Sequence, residues 1–433
     1  MPEITQKSMR RGFYTAALIL LVVTWVSPAI ADKKKKDTTP PEPQGAKLDI
    51  SNIVWPQPPA IARVRYLDYF SAEKPVPVKQ TQVKKKSWMD RMAGVNPDDA
   101  AKRTDTKPRF ELGTPYGMAV DSKGMLYVAD TKVGGVFIFN PESRDTEFIK
   151  HGVDAKFGRI FGLVIDDADR LFVADGMYNH VLVFNPQHKL EGVFGEGIMN
   201  DPGGLAIDEE NRYLYVANTG SDQVLVYDAD TFKLLRKIGT AGKDHTLTTP
   251  GDFSKPTNVA VDKDGNLFVT DTLNDRVEVF DADGGFIRAF GKNGDGPGDF
   301  ARPKGIAVDC DGHVWVADAM LNRVQVFTAE GNLRLIFGGF GMLPGQFQAL
   351  AGITIDKQNR VFTSEQYMGR VQMFRYITNT EAQAEYDKRK AAVEKKADQK
   401  PADQTQPASK PGEAPKVTTP AASPSTASVK GPS

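Results

Sequence analysis

Between residues 303 and 327 the chain reads PKGIAVDCDGHVWVADAMLNRVQVF, and its apolar and β-branched residues fall into three short alternating runs, 305–309, 314–318 and 323–327. Period-two alternation broken by turn residues predicts three strands in succession. The same pattern returns five more times. Its first Asp recurs as Asp121, Asp166, Asp208, Asp262, Asp309 and Asp356, and four residues earlier stand Gly117, Gly162, Gly204, Asn258, Gly305 and Gly352. A second acidic or amide position follows as Asp130, Asp175, Asn218, Asp271, Asp318 and Glu365. Three residues before it is always an aromatic (Tyr127, Phe172, Tyr215, Phe268, Trp315, Phe362), and nine after it another (Phe139, Phe184, Tyr227, Phe280, Phe327, Phe374). Less regular apolar runs at 146–150, 190–194, 234–238, 286–290 and 333–337 supply a fourth strand. A unit too small to cover its own apolar faces must stack on its copies.

With the four strands of a unit named a to d, the turns have a physical reading too. After the first Asp, Gly124, Asp169, Asn211, Gly265, Gly312 or Asn359 closes the a–b hairpin, and these residue types tolerate positive φ. The Asp side chain is placed to cap its own turn. The third unit has one residue more between its two polar positions, so a bulge or longer turn is expected at 209–213. The last unit has strands a, b and c but no fourth. The stretch 61–70, where Val64, Tyr66 and Phe70 alternate with Arg63 and Arg65, is expected to supply it, because an open ring leaves a sheet edge bare.

The unit resembles the NHL repeat, which builds β-propeller blades. Pro303, Gly305, the runs 306–309 and 316–318, Asn322-Arg323 and the run 324–327 carry the likeness, which extends over about residues 114–376. The resemblance implies an all-β chain: a six-bladed β-propeller of four-stranded antiparallel blades, the last closed by the N-terminal strand. The expected organisation is a signal or anchor at 1–31, a charged and Pro-rich linker at 32–60 and the ring-closing strand at 61–70. An insertion at 71–110 with a short helix around 87–93 comes next, then the propeller at 111–378 and a polar helix and disordered tail at 379–433.

Charge sharpens this picture. The 433 residues are neutral overall, yet residues 109–378 carry 27 Lys+Arg against 37 Asp+Glu. An acidic propeller with basic flanks argues against a grip on a phosphate backbone, so no nucleic-acid partner is expected. The single Cys310 excludes an intrachain disulfide. At the start of the chain, Lys7, Arg10 and Arg11 precede an apolar run at 13–26, and Ala29-Ile30-Ala31 matches a small-residue cleavage site. The run is shorter than the roughly 20 residues that span a bilayer. Export to the periplasm or the outside is therefore expected, with retention as a membrane anchor through 13–26 as the alternative, because Lys33 to Lys36 follow at once.

The recurring acids invite a catalytic or metal reading. An acid ending strand b, with Arg276, Arg323 or Arg370 opening strand c, is better placed to tie one hairpin, and this structural role is assigned to Asp130, Asp175, Asp271, Asp318 and Glu365. Some propellers similar to this repeat are amidating lyases that hold zinc with His from several blades. Here His151, His180, His188, His245 and His313 do not occupy equivalent positions, while a catalytic zinc commonly takes three protein ligands. No metal or other cofactor and no catalytic residue is expected on that basis. The b–c turns and d–a connections carry exposed bulk instead: Tyr116, Arg159, Phe161, Met177, Tyr178, Leu273, Arg302, Lys304, Met320, Leu321, Tyr367 and Met368. Aromatic, Met and Arg side chains clustered on one loop face are the composition of an interaction site. The chain thus reads as a monomeric, non-catalytic scaffold binding a protein or peptide there, with a metal-dependent propeller enzyme, amidating-lyase-like or lactonase-like, as the alternative.

If residues 1–31 are removed on export, N-terminal sequencing of the protein from its own cell returns Asp32 as the first residue. Intact 13–26 in the membrane fraction would show the anchor instead.

Overall fold

The computed structural model describes residues 49–50, 52–72, 111–240 and 249–398. The expected signal, the helix around 87–93, His245 and the tail beyond 398 lie outside the described residues. Six antiparallel sheets follow one another around a ring, five of four strands and one of five. Their innermost strands are Pro115–Val120, Ile160–Ile165, Pro202–Asp208, Pro256–Val261, Pro303–Val308 and Leu350–Ile355, each in contact with the next and the last with the first.

The repeat glycine opens the space for this ring. A Cβ at Gly117 would stand 2.0 Å from the Phe161 carbonyl oxygen, at Gly162 2.3 Å from that of Gly203, and at Gly352 2.3 Å from that of Tyr116. Backbone cannot yield as a side chain can, so a side chain here would force blades apart. The aromatic preceding the strand-b acid is buried in every blade, and apolar clusters fill the wedges between neighbouring blades.

Val64–Phe70 closes the ring as expected. It pairs antiparallel with Arg370–Tyr376, Val64 opposite Tyr376 and Phe70 opposite Val371, and Val54–Trp55 adds a short fifth strand beyond it. Val64 and Tyr66 enter the core between blades five and six, and Phe70 meets Phe139 of blade one at 5.5 Å. The sequence pattern did not show Val54–Trp55, since two residues carry no period. After blade six, helix Asn379–Asp398 begins with a capping box: Thr378 Oγ1 accepts the Glu381 N–H at 3.2 Å, and Glu381 Oε2 accepts the Thr378 N–H at 2.9 Å.

Each first Asp caps its own turn; Asp121 Oδ1, for example, accepts the N–H groups of Lys123 and Met125 at 3.0 and 2.8 Å. The third blade needs a correction. Its extra residue lengthens the turn, and positive φ falls on Arg212 (57°) rather than on Asn211. Arg212 is held there by four acids, Asp166, Asp167, Glu209 and Asp230, two of them from blade two.

Blades four to six share a loop device that the strand pattern did not reveal. The sequences PGDF, PGDF and PGQF place Phe253, Phe300 and Phe347 in the core, fully buried. A strand-c side chain then reaches each loop. Gln325 Oε1 accepts the Gly298 N–H at 2.9 Å and its Nε2 donates to the Asp299 carbonyl at 2.7 Å; Gln372 does the same with Gly345 and the Gln346 carbonyl. In blade four the residue is Glu278, whose Oε2 accepts the Gly251 N–H at 2.9 Å. Its other oxygen lies 3.1 Å from Arg276, with Asp271 and Asp252 close by. Burial pushes this carboxyl up to about 7, against the pull of Arg276.

Deleting residues 61–70 removes three buried side chains worth roughly 1.5–3 kcal/mol each, so the truncated protein is expected to aggregate or melt far earlier, read by scanning calorimetry. An unchanged melting temperature would refute the closure. Glu278 supplies a second expectation. Between pH 4.5 and 7 the fold keeps a proton that the unfolded chain has released, so stability falls as pH rises through that window. Glu278→Gln is expected to abolish this fall and to stabilise the protein by about 1–2 kcal/mol at pH 8; a variant with the wild-type pH dependence would contradict it.

Candidate functional site

The acids ending strand b position the loop face. Asp130 accepts the N–H groups of Lys132 and Val133 in its b–c turn, at 3.0 and 2.8 Å, and those of Gly113 and Thr114 in the connection entering the blade, at 2.6 and 3.0 Å. Asp175 holds Met177, Tyr178, Gly158 and Arg159 in the same way, and Asp318 holds Met320, Leu321, Ala301 and Arg302. These carboxylates are fully buried and tie two loops, not one hairpin. The expected Arg partner is present in two of three cases: Arg276 reaches Asp271 at 2.8 Å and Arg370 reaches Glu365 at 2.6 Å. Arg323 differs. It donates to the Asp295 and Gly296 carbonyls at 3.0 and 2.7 Å, because the N–H groups around Asp318 already occupy that carboxylate.

Where the inner strands begin, one residue before the repeat glycines, side chains converge on the channel mouth. Tyr116 and Phe161 meet edge to face at 5.0 Å, and the Lys304 ammonium lies 5.6 Å from the centre of the Tyr116 ring. Arg159 stacks on Phe161 and pairs with Asp201 at 2.7 Å. Behind Lys304 stands a set of threonines: Thr257 Oγ1 and Thr272 Oγ1 are 2.6 Å apart, Thr272 donates to the Pro303 carbonyl at 2.7 Å and Thr270 to the Lys304 carbonyl at 2.9 Å. Burial and the Asp201 charge push the Tyr116 hydroxyl up to about 12, so it stays protonated at neutral pH. Burial and then Arg302 push the Lys304 ammonium down.

Of the residues singled out in the sequence, Tyr116, Phe161, Arg159 and Lys304 come together here, with Arg302 beside Lys304. Met177, Leu273, Met320 and Tyr367 stand exposed on the surrounding turns, while Leu321 and Met368 are half-buried. Tyr178 is taken up by packing, under the Lys156 ammonium and 5.7 Å from the His180 ring. The sequence reading missed Asp201, Thr257, Thr270 and Thr272, and the exposed Phe340, Met342 and Leu343 in the connection to blade six. The signal was available: the residue before the repeat glycine runs Tyr, Phe, Gly, Thr, Lys, Ala around the ring, the varied position beside one that is Gly in five blades and Asn in the fourth. Deeper in, the channel is a cavity of about 340 Å³ with walls such as Met118, Leu163 and Ile353, open toward the a–b turns. Those turns link blades, as in Ser122 Oγ to Asp169 at 2.6 Å.

The histidines are engaged separately. His151 accepts the Phe157 N–H, His188 meets the Tyr127 hydroxyl at 2.9 Å, His313 lies 3.1 Å from Asp309, and His180 is buried in its hairpin. Among the described residues no three His, Cys, Asp or Glu converge as metal ligands, so they do not fit a zinc of the kind held by amidating lyases.

A family described as a 6-bladed beta-propeller matches residues 247–324. The chain is 39% identical over 102 residues to the probable peptidyl-alpha-hydroxyglycine alpha-amidating lyase of Caenorhabditis elegans; the match takes in 23% of this chain and spans 27% of the relative. A protein of unknown function from Bacteroides thetaiotaomicron superimposes with a TM-score of 0.50 at 17% identity, over 61% of this chain and 70% of that one. Virginiamycin B lyase from Staphylococcus aureus gives 0.45 at 13%, over 61% and 96%. The likeness to the Bacteroides protein speaks for the fold alone. The lyase relative, however, corrects the expectation of a non-catalytic scaffold, because the sequence shared with this chain belongs to an enzyme. The chain is a six-bladed β-propeller that shares a 102-residue stretch with a probable lyase.

Proposed function

We propose that the protein is a lyase working at the channel mouth on the b–c and d–a face, on a peptide or acyl amide ending in an α-hydroxyglycine. The observation that carries this reading is the 39% identity to the amidating lyase. The channel mouth supports it, since this is where the described residues set an ionisable hydroxyl, a half-buried cation and two aromatic walls together. In such a cleavage the hydroxyl of the substrate loses its proton, the C–N bond breaks, and the nitrogen takes up a proton. The products are a primary amide and a two-carbon aldehyde acid. Tyr116, kept protonated by burial, is the donor to the leaving nitrogen. Phe161 and the Tyr116 ring exclude water from one side of the bond. Export through residues 1–31 would place the reaction outside the cytoplasm.

The test is direct. Purified protein is incubated with a benzoyl-α-hydroxyglycine, with and without added zinc, and benzamide is quantified by mass spectrometry against the spontaneous reaction. Turnover is expected, and Tyr116→Phe is expected to lower it by about 10²–10⁴-fold with an unchanged melting temperature. Wild-type protein that shows no rate above background under either condition would overturn the proposal.

A further inference from the structure

We infer that Arg302 and Lys304 form an anion seat at the channel mouth, and that the ligand it takes carries a carboxylate next to an apolar or planar body. This inference deepens the lyase reading, on which its choice of substrate class rests.

Among the described residues, neither the Arg302 guanidinium nor the Lys304 ammonium makes a hydrogen bond or ion pair with a protein group. Other cations of this face are engaged. Arg159 holds Asp201, Arg276 and Arg370 hold strand-b acids, and Arg323 holds loop carbonyls. Asp275 lies near enough to feel Arg302, yet its carboxylate accepts from Asn293 Nδ2 at 2.7 Å and stays outside ion-pair distance. Lys304 rests against the Tyr116 ring, a contact that steadies the charge and leaves its N–H donors for a ligand.

The pair is held in place before any ligand arrives. Asp318 accepts the Arg302 N–H at 3.2 Å, Thr272 donates to the Pro303 carbonyl and Thr270 to the Lys304 carbonyl. Arg302 stands exposed in the bend before the strand and Lys304 half-buried at the irregularity between Pro303 and Gly305, near enough for the Arg302 charge to act on the Lys304 ammonium. The setting makes the pair conspicuous to an anion. Residues 109–378 carry ten more acidic than basic residues, so two unpaired cations at the mouth reverse the local field and draw anions there. Partial burial strengthens the hold of Lys304. A carboxylate suits this donor set better than a phosphate. One guanidinium fork and one ammonium match two oxygens, while the nearby N–H groups of Ala301 and Arg302 that could line a phosphate cradle are taken by Asp318.

The experiment measures binding, apart from turnover. Hippurate (benzoylglycine), its neutral amide and phenyl phosphate are titrated by calorimetry at low salt into wild type, Arg302→Met, Lys304→Met and the double variant, each checked by its melting temperature. Hippurate is expected to bind and the amide to bind at least about tenfold more weakly. Each single variant should lose about tenfold for hippurate and the double variant all measurable binding, with Lys304→Arg recovering part of it. Equal binding of acid and amide, undiminished affinity in the double variant, tighter binding of phenyl phosphate, or no binding of hippurate to wild type would each overturn the seat. The two proposals fail separately: hippurate binding without lyase turnover refutes the reaction and leaves the seat, whereas turnover with an unchanged KM in the double variant refutes the seat and leaves the reaction.

Discussion

Everything in this molecule follows from how closely six inner strands approach one another. Where Gly117, Gly162 and Gly352 face the carbonyls of the next blade, the gap admits no Cβ. That closeness fixes the tilt of each blade against its neighbour and hence the wedge that the apolar clusters fill. It also sets the channel width. The residues just before these positions, Tyr116, Phe161, Gly203, Thr257, Lys304 and Ala351, are the most varied of the inner strands from blade to blade. A close backbone contact, met by Gly in five blades of six, therefore stands beside a side-chain position that differs in every blade.

The buried acids extend this rigidity to the loops. A carboxylate with four N–H partners is stable without a cation, because each N–H that it satisfies would otherwise be an orphan in a loop. Asp130 and Asp175 show this with Gly135 and His180 opposite them. Where Arg follows, as at Arg276 and Arg370, the guanidinium also donates to the connection that enters its own blade, at the Asp252 and Met342 carbonyls, and Gln372 completes the hold in blade six as Gln325 does in blade five. Arg159, Arg302 and Lys304 lie on connections or strand starts fixed in this manner, which is how loop residues come to be placed with the precision that binding and catalysis require.

The scaffold expectation arose because the sequence offers no ligand set of a familiar kind. Five His in unrelated positions and acids with structural duties leave no motif to read. The side chains that meet at the channel mouth are instead single residues from different blades, Tyr116 from the first, Phe161 from the second and Lys304 from the fifth. Such groups are far apart in the chain and share no spacing. The stretch shared with the probable amidating lyase spans 102 residues, and the channel mouth is where the fold gathers aromatic and cationic side chains.

The sequence by itself determined the blade count, the four strands of each blade, the buried aromatics, the turn capping and the closure by Val64–Phe70. All of these depend on period-two alternation or on local turn chemistry, both of which repeat six times and so can be read against one another. It also marked the loop face, through bulk where a turn needs none. Tertiary structure decided which of those loop residues meet. Tyr178 looked like an exposed anchor and is packed under Lys156, whereas Lys304, marked only as one of twelve residues on the loop face, stands over Tyr116 from four blades further along the chain. It decided as well that Arg323 serves a loop and not Asp318, and that an extra turn residue moves positive φ onto Arg212. The reason is the same in each case: distance along the chain carries no information about distance across the channel, and only closure of the ring brings the first blade and the fifth to one axis.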